Sequence, residues 1–137
     1  NKYQCLILAY VIMPNHIHLI LYFPEENRLS DFIRDFKKFT SVKIRRTVQQ
    51  SGDAILAKLD YQKGEQKYKV WMDRFDDVYI TSTSVFHTKL DYIHNNPLQE
   101  HWKLADSPEQ YPYSSAAYYL GANSGKVNIT NYIEYFW

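Results

Sequence analysis

Residues 3–23 read YQCLILAYVIMPNHIHLILYF, and this stretch decides the fold. From Tyr3 to Met13 nearly every residue is apolar, which is typical of a central strand that is covered on both faces. Pro14 and Asn15 then supply a turn, because proline restricts φ and asparagine tolerates unusual backbone angles. The residues HIHLILYF predict a second strand, so the whole stretch predicts an antiparallel hairpin.

Two histidines stand at the start of the second predicted strand. The period of two places His16 and His18 side by side on one face, and Ile17 on the other, where we expect it to anchor the strand in the core. Two parallel imidazoles can hold one divalent ion. For the pair taken alone, histidines that simply occupy the solvent side of a hairpin remain an equal alternative.

Length and composition narrow the classes of protein. The chain has 137 residues, 45% of them hydrophobic, with 4 Gly and 5 Pro, which favours one compact domain. A TIM barrel needs roughly 200 residues or more and is excluded. The single Cys5 cannot form an intrachain disulfide, and no apolar run is long enough to span a bilayer, so we expect a cytoplasmic protein without a membrane partner. The balance of 16 Lys+Arg against 15 Asp+Glu does not by itself indicate nucleic acid.

A long helix is predicted from Leu29 to about Gln50. Its apolar residues Phe32, Phe36 and Phe39 follow Leu29 at spacings of three and four, so we expect them to form a buried stripe. The helix also concentrates positive charge on what we expect to be one basic face: Arg34, Lys37, Lys38, Lys43, Arg45 and Arg46. Such a face could neutralise DNA phosphates, although a solvated outer face is the usual alternative.

The sequence after the long helix predicts several shorter elements. In order, these are a short helix over 54–59, a third strand over 68–72 and its continuation over 78–80. A second helix is then expected over 85–95, capped by Ser82 or Ser84 and stopped by Pro97.

Tyr92 and Asn96 lie one turn apart at the end of this second helix. A phenol and an amide therefore point the same way, while Phe86, Leu90 and Ile93 form the stripe that faces the core. Lys89 lies on the side of Tyr92 and could contact a phosphate, whereas His94 points away and is interpreted as structural. Because the chain has 13 tyrosines, packing is the default role for any one of them.

Two motifs together carry a resemblance to a known family. The run AYVIMPNHIHL, residues 9–19, resembles the HUH motif of the single-tyrosine transposases, above all of the REP-associated tyrosine transposase branch. The later run YIHNNP, residues 92–97, is similar to that family's nucleophile motif. The resemblance covers about residues 5–119 and includes Phe36-Lys37, Thr40-Ser41, Trp71, Asp76-Asp77 and the run from Tyr111 to Ser115.

The resemblance implies a fold, a set of site residues and an activity. The fold is a ferredoxin-like α+β domain over 1–120, an antiparallel sheet with flanking helices, which lacks the family's first strand and helix and is followed by a C-terminal tail over 121–137. By the family's motifs, His16, His18 and Asn96 hold Mg²⁺ or Mn²⁺, and Tyr92 is the nucleophile. The family nicks and rejoins single-stranded DNA, often beside a hairpin or repeat, through a 5'-phosphotyrosine and without a nucleotide cofactor.

Several alternatives remain open at this point. Related transposases act as homodimers in which one subunit's tyrosine serves the other's histidines, whereas some members of the REP-associated branch are monomers. A domesticated or truncated copy would bind single-stranded or hairpin nucleic acid through the basic helix without cutting it. A metal phosphoesterase would use the same histidines with an activated water in place of Tyr92.

Overall fold

The computed structural model describes residues 2–52, 60–63, 66–122 and 127–135. Contacts within the chain define two compact units. The first, which we call the hairpin unit, comprises Asn1–Pro24 and Tyr79–Trp137, and the second, the helix unit, comprises Glu25–Val78. The boundary predicted at residue 120 stays a prediction, although residues 127–135 also belong to the hairpin unit.

The predicted hairpin is present at the start of the hairpin unit. Strand β1 spans Leu6–Ile12 and pairs antiparallel with β2, Ile17–Tyr22. The Met13 amide donates to the His16 carbonyl at 2.8 Å and closes the turn between them. The register pairs Val11 with His18, so the histidine pair lies at the turn end of the hairpin.

Strand β1 has hydrogen-bonded neighbours on both edges, as expected for a central strand. Opposite β2, an isolated antiparallel bridge joins Val11 to Ser114. The Ile12 amide donates to the Tyr113 carbonyl at 2.8 Å, and the Ser115 amide to the Tyr10 carbonyl at 2.9 Å. The side chains of residues 8–11 are all buried, which explains why this strand reads as a continuous apolar run.

One helix packs on the central strand of the hairpin unit. Helix α1 belongs to the helix unit and spans Leu29–Ser51, whereas α2, which packs on β1, spans Thr83–Asn95. The Ser82 hydroxyl accepts from the Val85 amide at 3.2 Å, which confirms the predicted cap. The helix ends at Asn95, two residues before Pro97, as predicted, and residues 96–98 continue as a 3₁₀ turn whose first positions tolerate proline.

The core of the hairpin unit forms between β1, β2 and α2. Its fully or almost fully buried side chains come from all three elements: Leu8, Val11, Ile20, Phe86, Leu90 and Ile93. Burying each such side chain contributes about 1.5–3 kcal/mol. Because Ile20 shares its strand face with the histidines, the core lies on the histidine face. The expectation that Ile17 anchors the opposite face is therefore wrong, and Ile17 is only half-buried.

The end of the described chain adds aromatic side chains to this core. The Tyr132 ring stacks on Phe86 with ring centroids 4.4 Å apart, and the Tyr135 ring lies 4.6 Å from that of Tyr22. The Thr130 amide donates to the Ile7 carbonyl at 3.0 Å. A short helix α3, Ala116–Tyr119, and 3₁₀ turns at Pro108–Gln110 and Tyr132–Glu134 complete the hairpin unit.

The helix unit contains α1 and a small second hairpin. Gly52 ends α1 in the left-handed region, with φ of 65°, where glycine pays no steric penalty. No residue of α1 is buried, and Phe39 is 64% exposed, so the predicted buried stripe is wrong at that position. Phe32 and Phe36 are partly buried and stacked, and Trp71 packs on Phe36 and donates to the Thr40 hydroxyl at 2.8 Å.

The prediction of a third strand over 68–72, continued over 78–80, is wrong. The second hairpin pairs β3, Asp60–Lys63, with β4, Gln66–Tyr68, and residues 69–82 contain no strand. Hydrogen bonds to α1 hold residues 71–74 instead. The Lys37 ammonium donates to the carbonyls of residues 72–74, and the Trp71 indole donates to the Thr40 hydroxyl. The short helix predicted over 54–59 lies outside the described residues. Antiparallel strands and helices confirm the α+β class and are consistent with a ferredoxin-like arrangement.

Across the described residues, none of the helices has the length and apolar character that a bilayer crossing demands.

Candidate active site

The two histidines lie in contact at the turn end of the hairpin. The His16 and His18 ring centroids are 4.9 Å apart with an interplanar angle of 77°. Both side chains are partly exposed. The predicted side-by-side placement is thus confirmed, and the pair opens to solvent instead of being sealed in the core.

Helix α2 brings Tyr92 to this pair. The Tyr92 ring centroid lies 5.4 Å from that of His18, and the two rings meet edge to face at 75°. Because Phe86, Leu90 and Ile93 hold one side of α2 against β1, Tyr92 projects beside that packed face and is 51% exposed. A phenol that is exposed and lies beside the His18 imidazole is accessible to a large substrate.

Asn96 lies one turn beyond Tyr92. Its side chain is buried, with only 2% exposed, and its Oδ1 atom has no hydrogen-bond partner among the described residues. A buried unsatisfied polar atom costs about 1–3 kcal/mol. An amide oxygen is also a good ligand for hard divalent cations such as Mg²⁺. The orphaned oxygen therefore fits a metal-ligating role for Asn96.

The hydrogen bond of His16 and the burial of His18 both suit metal binding. The Nδ1 atom of His16 lies 2.6 Å from Oδ1 of Asn15. Because a carbonyl oxygen only accepts, Nδ1 is the donor in this contact, and Nε2 is the ring nitrogen that can ligate a metal. Burial, and then the neighbouring His16, lower the pKa of His18, so its imidazole is neutral at neutral pH.

The ligand set lacks a carboxylate. Among the residues that the structure describes, no group of three or more His, Cys, Asp or Glu side chains is arranged to hold a metal ion. The candidate set is two imidazoles and one amide oxygen, which leaves coordination positions for substrate oxygens.

His94 is structural, as predicted. It is buried, and its Nε2 atom lies 2.8 Å from the hydroxyl of Ser115, which in turn accepts from the Tyr10 amide at 2.9 Å. These bonds tie the end of α2 to β1, next to the segment that carries Tyr92. Burial lowers the pKa of His94 to about 4, although Asp91 acts in the opposite direction.

We expect the free energy of unfolding to fall as pH is lowered from about 6.5 toward 4. His94 titrates near 6.5 when unfolded and near 4 when folded. Between these values the unfolded chain binds the extra proton, so acid favours unfolding, and the full contribution returns above 6.5. Urea unfolding of His94→Gln should show a flatter pH dependence over this interval. The exposed His87 on the same helix gives the control, because His87→Gln leaves His94 in place and should keep the loss of stability that His94 causes between pH 6.5 and 4.

Sequence reasoning missed two residues at the site. Trp102, which follows the tyrosine motif, lies with its ring centroid 5.9 Å from that of His16. Asn15 was assigned only to the turn, yet it orients His16. No sequence pattern indicates that Trp102 lies beside His16. For Asn15, the signal was an amide directly preceding a candidate ligand.

The six basic residues of α1 do not share one face. At about 100° per residue, Lys43 lies about 180° from Arg34, so the single face is wrong for Lys43. The other side of the helix carries Arg34, Lys37, Lys38 and Arg45. Lys43 lies over the Phe39 ring, 5.6 Å from its centroid. The Nε atom of Arg45 is buried and has no hydrogen-bond partner among the described residues.

Some of these cations are already engaged within the helix unit. Arg34 donates to Asp31 at 2.6 Å and to Asp35 at 3.2 Å. The ammonium of Lys37 donates to the carbonyls of residues 72, 73 and 74 at 2.7, 3.3 and 3.1 Å. Lys38 and Arg46 are exposed. Lys43 is exposed as well, but its ammonium lies over the Phe39 ring.

The hairpin, its histidine pair and the adjoining tyrosine define an α+β protein with a candidate metal and nucleophile site. Residues 1–96 match the family described as "Transposase IS200 like", and the chain belongs to that family. The match contains His16, His18, Tyr92 and Asn96 and supports a transposase function. Neither a curated protein nor a solved structure matches the chain.

Proposed function

We propose that this chain nicks and rejoins single-stranded DNA through a 5'-phosphotyrosine on Tyr92, as a transposase of the REP-associated branch. The observation that carries the proposal is the contact between His18 and Tyr92, whose ring centroids lie 5.4 Å apart. It unites two motifs that are distant in sequence. The partner-free Oδ1 of Asn96, one turn from the tyrosine, adds a third group that suits a divalent metal.

The metal ligands in this proposal are His16, His18 and Asn96. When bound, Mg²⁺ or Mn²⁺ would polarise the scissile phosphate and offset the negative charge that develops on it. Asn15 keeps the proton on Nδ1 of His16 and so presents Nε2. Burial lowers the pKa of His18, which favours the neutral imidazole that a metal ligand requires.

Tyr92 acts as the nucleophile. A free phenol has a pKa of about 10 and attacks poorly at neutral pH, so it needs a cationic environment. Its oxygen attacks the phosphorus, the bond from phosphorus to the 3' oxygen breaks, and a 3'-hydroxyl is released. The tyrosyl phosphodiester preserves the energy of the broken bond. A second 3'-hydroxyl can therefore reverse the step on another strand without ATP or any nucleotide cofactor.

The arrangement favours catalysis within one chain. Tyr92 already lies beside His18 of the same chain. In a homodimer that exchanges tyrosines, this short distance would have to be lost. We therefore propose that each chain contributes both the histidines and the tyrosine of its own site.

We propose that the solvent-facing cations of α1 contact DNA phosphates. Each neutralised phosphate of a single strand contributes about −0.7 to the slope of log affinity against log salt. The double variant Lys38→Ala/Arg46→Ala should therefore flatten that slope by about 1.4 for hairpin-flanked single-stranded DNA. Lys37 is left in place because its ammonium already binds backbone carbonyls. The charge-conserving pair Lys38→Arg/Arg46→Lys is the control, and an unchanged slope in the alanine variant would remove α1 from the DNA contact surface.

The proposed function is tested by trapping the covalent intermediate. Labelled hairpin-flanked single-stranded DNA is incubated with the full chain and Mn²⁺, and the products are separated on a denaturing gel. A labelled band at the mass of the protein plus DNA is the expected result. Cleavage without an adduct would indicate a water-using phosphoesterase, and binding without cleavage a domesticated binding module.

A further inference from the structure

A tight turn follows the tyrosine helix and returns the chain to the histidines. The amides of Trp102 and Lys103 both donate to the Gln99 carbonyl, at 2.8 and 3.0 Å, and the Leu104 amide donates to the Pro97 carbonyl at 2.9 Å. Three backbone hydrogen bonds thus fix the turn directly after the YIHNNP motif. We call residues 99–104 the tryptophan turn.

The turn places an indole beside the candidate metal ligands. The Trp102 ring centroid lies 5.9 Å from that of His16, with an interplanar angle of 50°. The exposed His101 also lies near the indole, with the two ring centroids 5.4 Å apart. Trp102 packs partly on the core of the hairpin unit and keeps the rest of its surface open. It is therefore a fixed aromatic surface next to the place where a scissile phosphate would lie.

The next residue is strained and charged. Lys103 has a φ of 45°, in the left-handed region that non-glycine residues rarely adopt. Strain of this kind is retained where the surrounding structure requires it and is concentrated at functional sites. The result is that the exposed Lys103 follows the indole immediately on a rigid turn.

We propose that the tryptophan turn is a nucleotide subsite beside the metal ligands. The base next to the scissile phosphate stacks on the Trp102 indole, and the Lys103 ammonium contacts a neighbouring phosphate. This inference rests on the proposed function, because it needs a DNA strand at His16 and His18. Stacking of unpaired bases on aromatic side chains, combined with cations on the backbone, is the general way in which proteins hold single strands.

The subsite has a consequence for the choice of substrate. A base in a duplex is covered on both faces by its neighbours, so it cannot also lie against an indole without being unstacked. The tryptophan turn therefore accepts an unpaired nucleotide, with little preference among bases because every base has an aromatic face. It selects single-stranded over duplex DNA at the point of cleavage.

The test separates the base from the phosphates. Binding of a labelled 20-nucleotide oligodeoxythymidylate and of an abasic strand with the same number of phosphates is measured by anisotropy in EDTA. Trp102→Ala should weaken binding of the thymidylate by about 5- to 150-fold and leave the abasic strand unaffected. Trp102→Phe, which keeps an aromatic ring, should retain most of the affinity. Lys103→Gln should weaken both strands equally and reduce the salt slope by about 0.7.

Controls distinguish stacking from folding and from the proposed function. Tyr79 is an aromatic residue that is 81% exposed in the same unit, and Tyr79→Ala should bind both strands as the wild type does. Equal losses of Trp102→Ala on both strands, or no loss on either, would overturn the subsite. An adduct with Mn²⁺ but no base-dependent loss would overturn the subsite and leave the nuclease intact. A base-dependent loss without any adduct would support the subsite and reject the proposed function.

Discussion

Replacing Tyr92 with phenylalanine is expected to abolish the covalent adduct with DNA completely while the protein stays folded. The change removes only the hydroxyl, and that oxygen would form the bond to phosphorus. Tyr92 is 51% exposed and lies beside His18, so the ring can keep its edge-to-face contact and no buried packing is lost. The measurement is the labelled band on a denaturing gel, together with thermal unfolding to show that stability changes little.

A matched tyrosine and a mixing experiment sharpen this prediction. Tyr79→Phe removes the hydroxyl from a tyrosine that is 81% exposed, and it should form the adduct at the wild-type level. An adduct that persists in Tyr92→Phe would refute the assignment of the nucleophile. If each chain uses its own tyrosine, a mixture of Tyr92→Phe and His16→Ala chains stays inactive. Recovered activity in the mixture would show that tyrosines act across a dimer.

Replacing His16 with alanine is expected to remove metal-dependent cleavage and to weaken Mn²⁺ binding by more than about 100-fold. Loss of a hydrogen-bond partner that only supports a ligand already costs about 10- to 100-fold in metal affinity, and loss of the ligand itself should cost more. With one imidazole gone, His18 and the amide of Asn96 remain, which is too few ligands for tight binding. Electron paramagnetic resonance of free Mn²⁺ during titration measures the affinity directly, without reference to activity.

Two further variants test whether the loss of Mn²⁺ affinity is specific to the proposed metal site. Asn15→Ala removes the acceptor of the 2.6 Å bond to His16, so we expect Mn²⁺ affinity to fall by about 10- to 100-fold. His87→Ala removes an exposed histidine that contacts Tyr132 on the same unit, and Mn²⁺ binding should not change. Wild-type affinity in His16→Ala would show that the histidine pair is not the metal site.

Several parts of the fold could be predicted because they depend on local sequence. The hairpin follows from an apolar run, a Pro-Asn turn and a second run with period two, and α2 follows from its serine cap and its stripe at helical spacing. The third strand could not be predicted in the same way. Residues 68–72 have strand-like composition, but hydrogen bonds from Lys37 to Met72 and from Trp71 to Thr40 hold this stretch to α1. β-propensity is weak against such tertiary contacts.

The local sequence also could not predict which face of the hairpin packs in the core. Alternation separates His18 from Ile17 but does not say which of the two faces an adjoining helix will cover. Helix α2 covers the histidine face, so that Ile20 is buried and Ile17 is only half-buried. The same choice brings Tyr92 to His18.

The sequence by itself determined the α+β class, the hairpin, the two long helices and the residue types of the candidate site. Backbone sterics, the alternation of side chains and helix capping act over a few residues, so a short stretch of sequence is enough to predict their effects. Only the tertiary structure decided that Tyr92 of α2 lies 5.4 Å from His18 and that Trp102 lies 5.9 Å from His16. These distances depend on how β1, α2 and the tryptophan turn pack around one core, and that packing has no local period to reveal it.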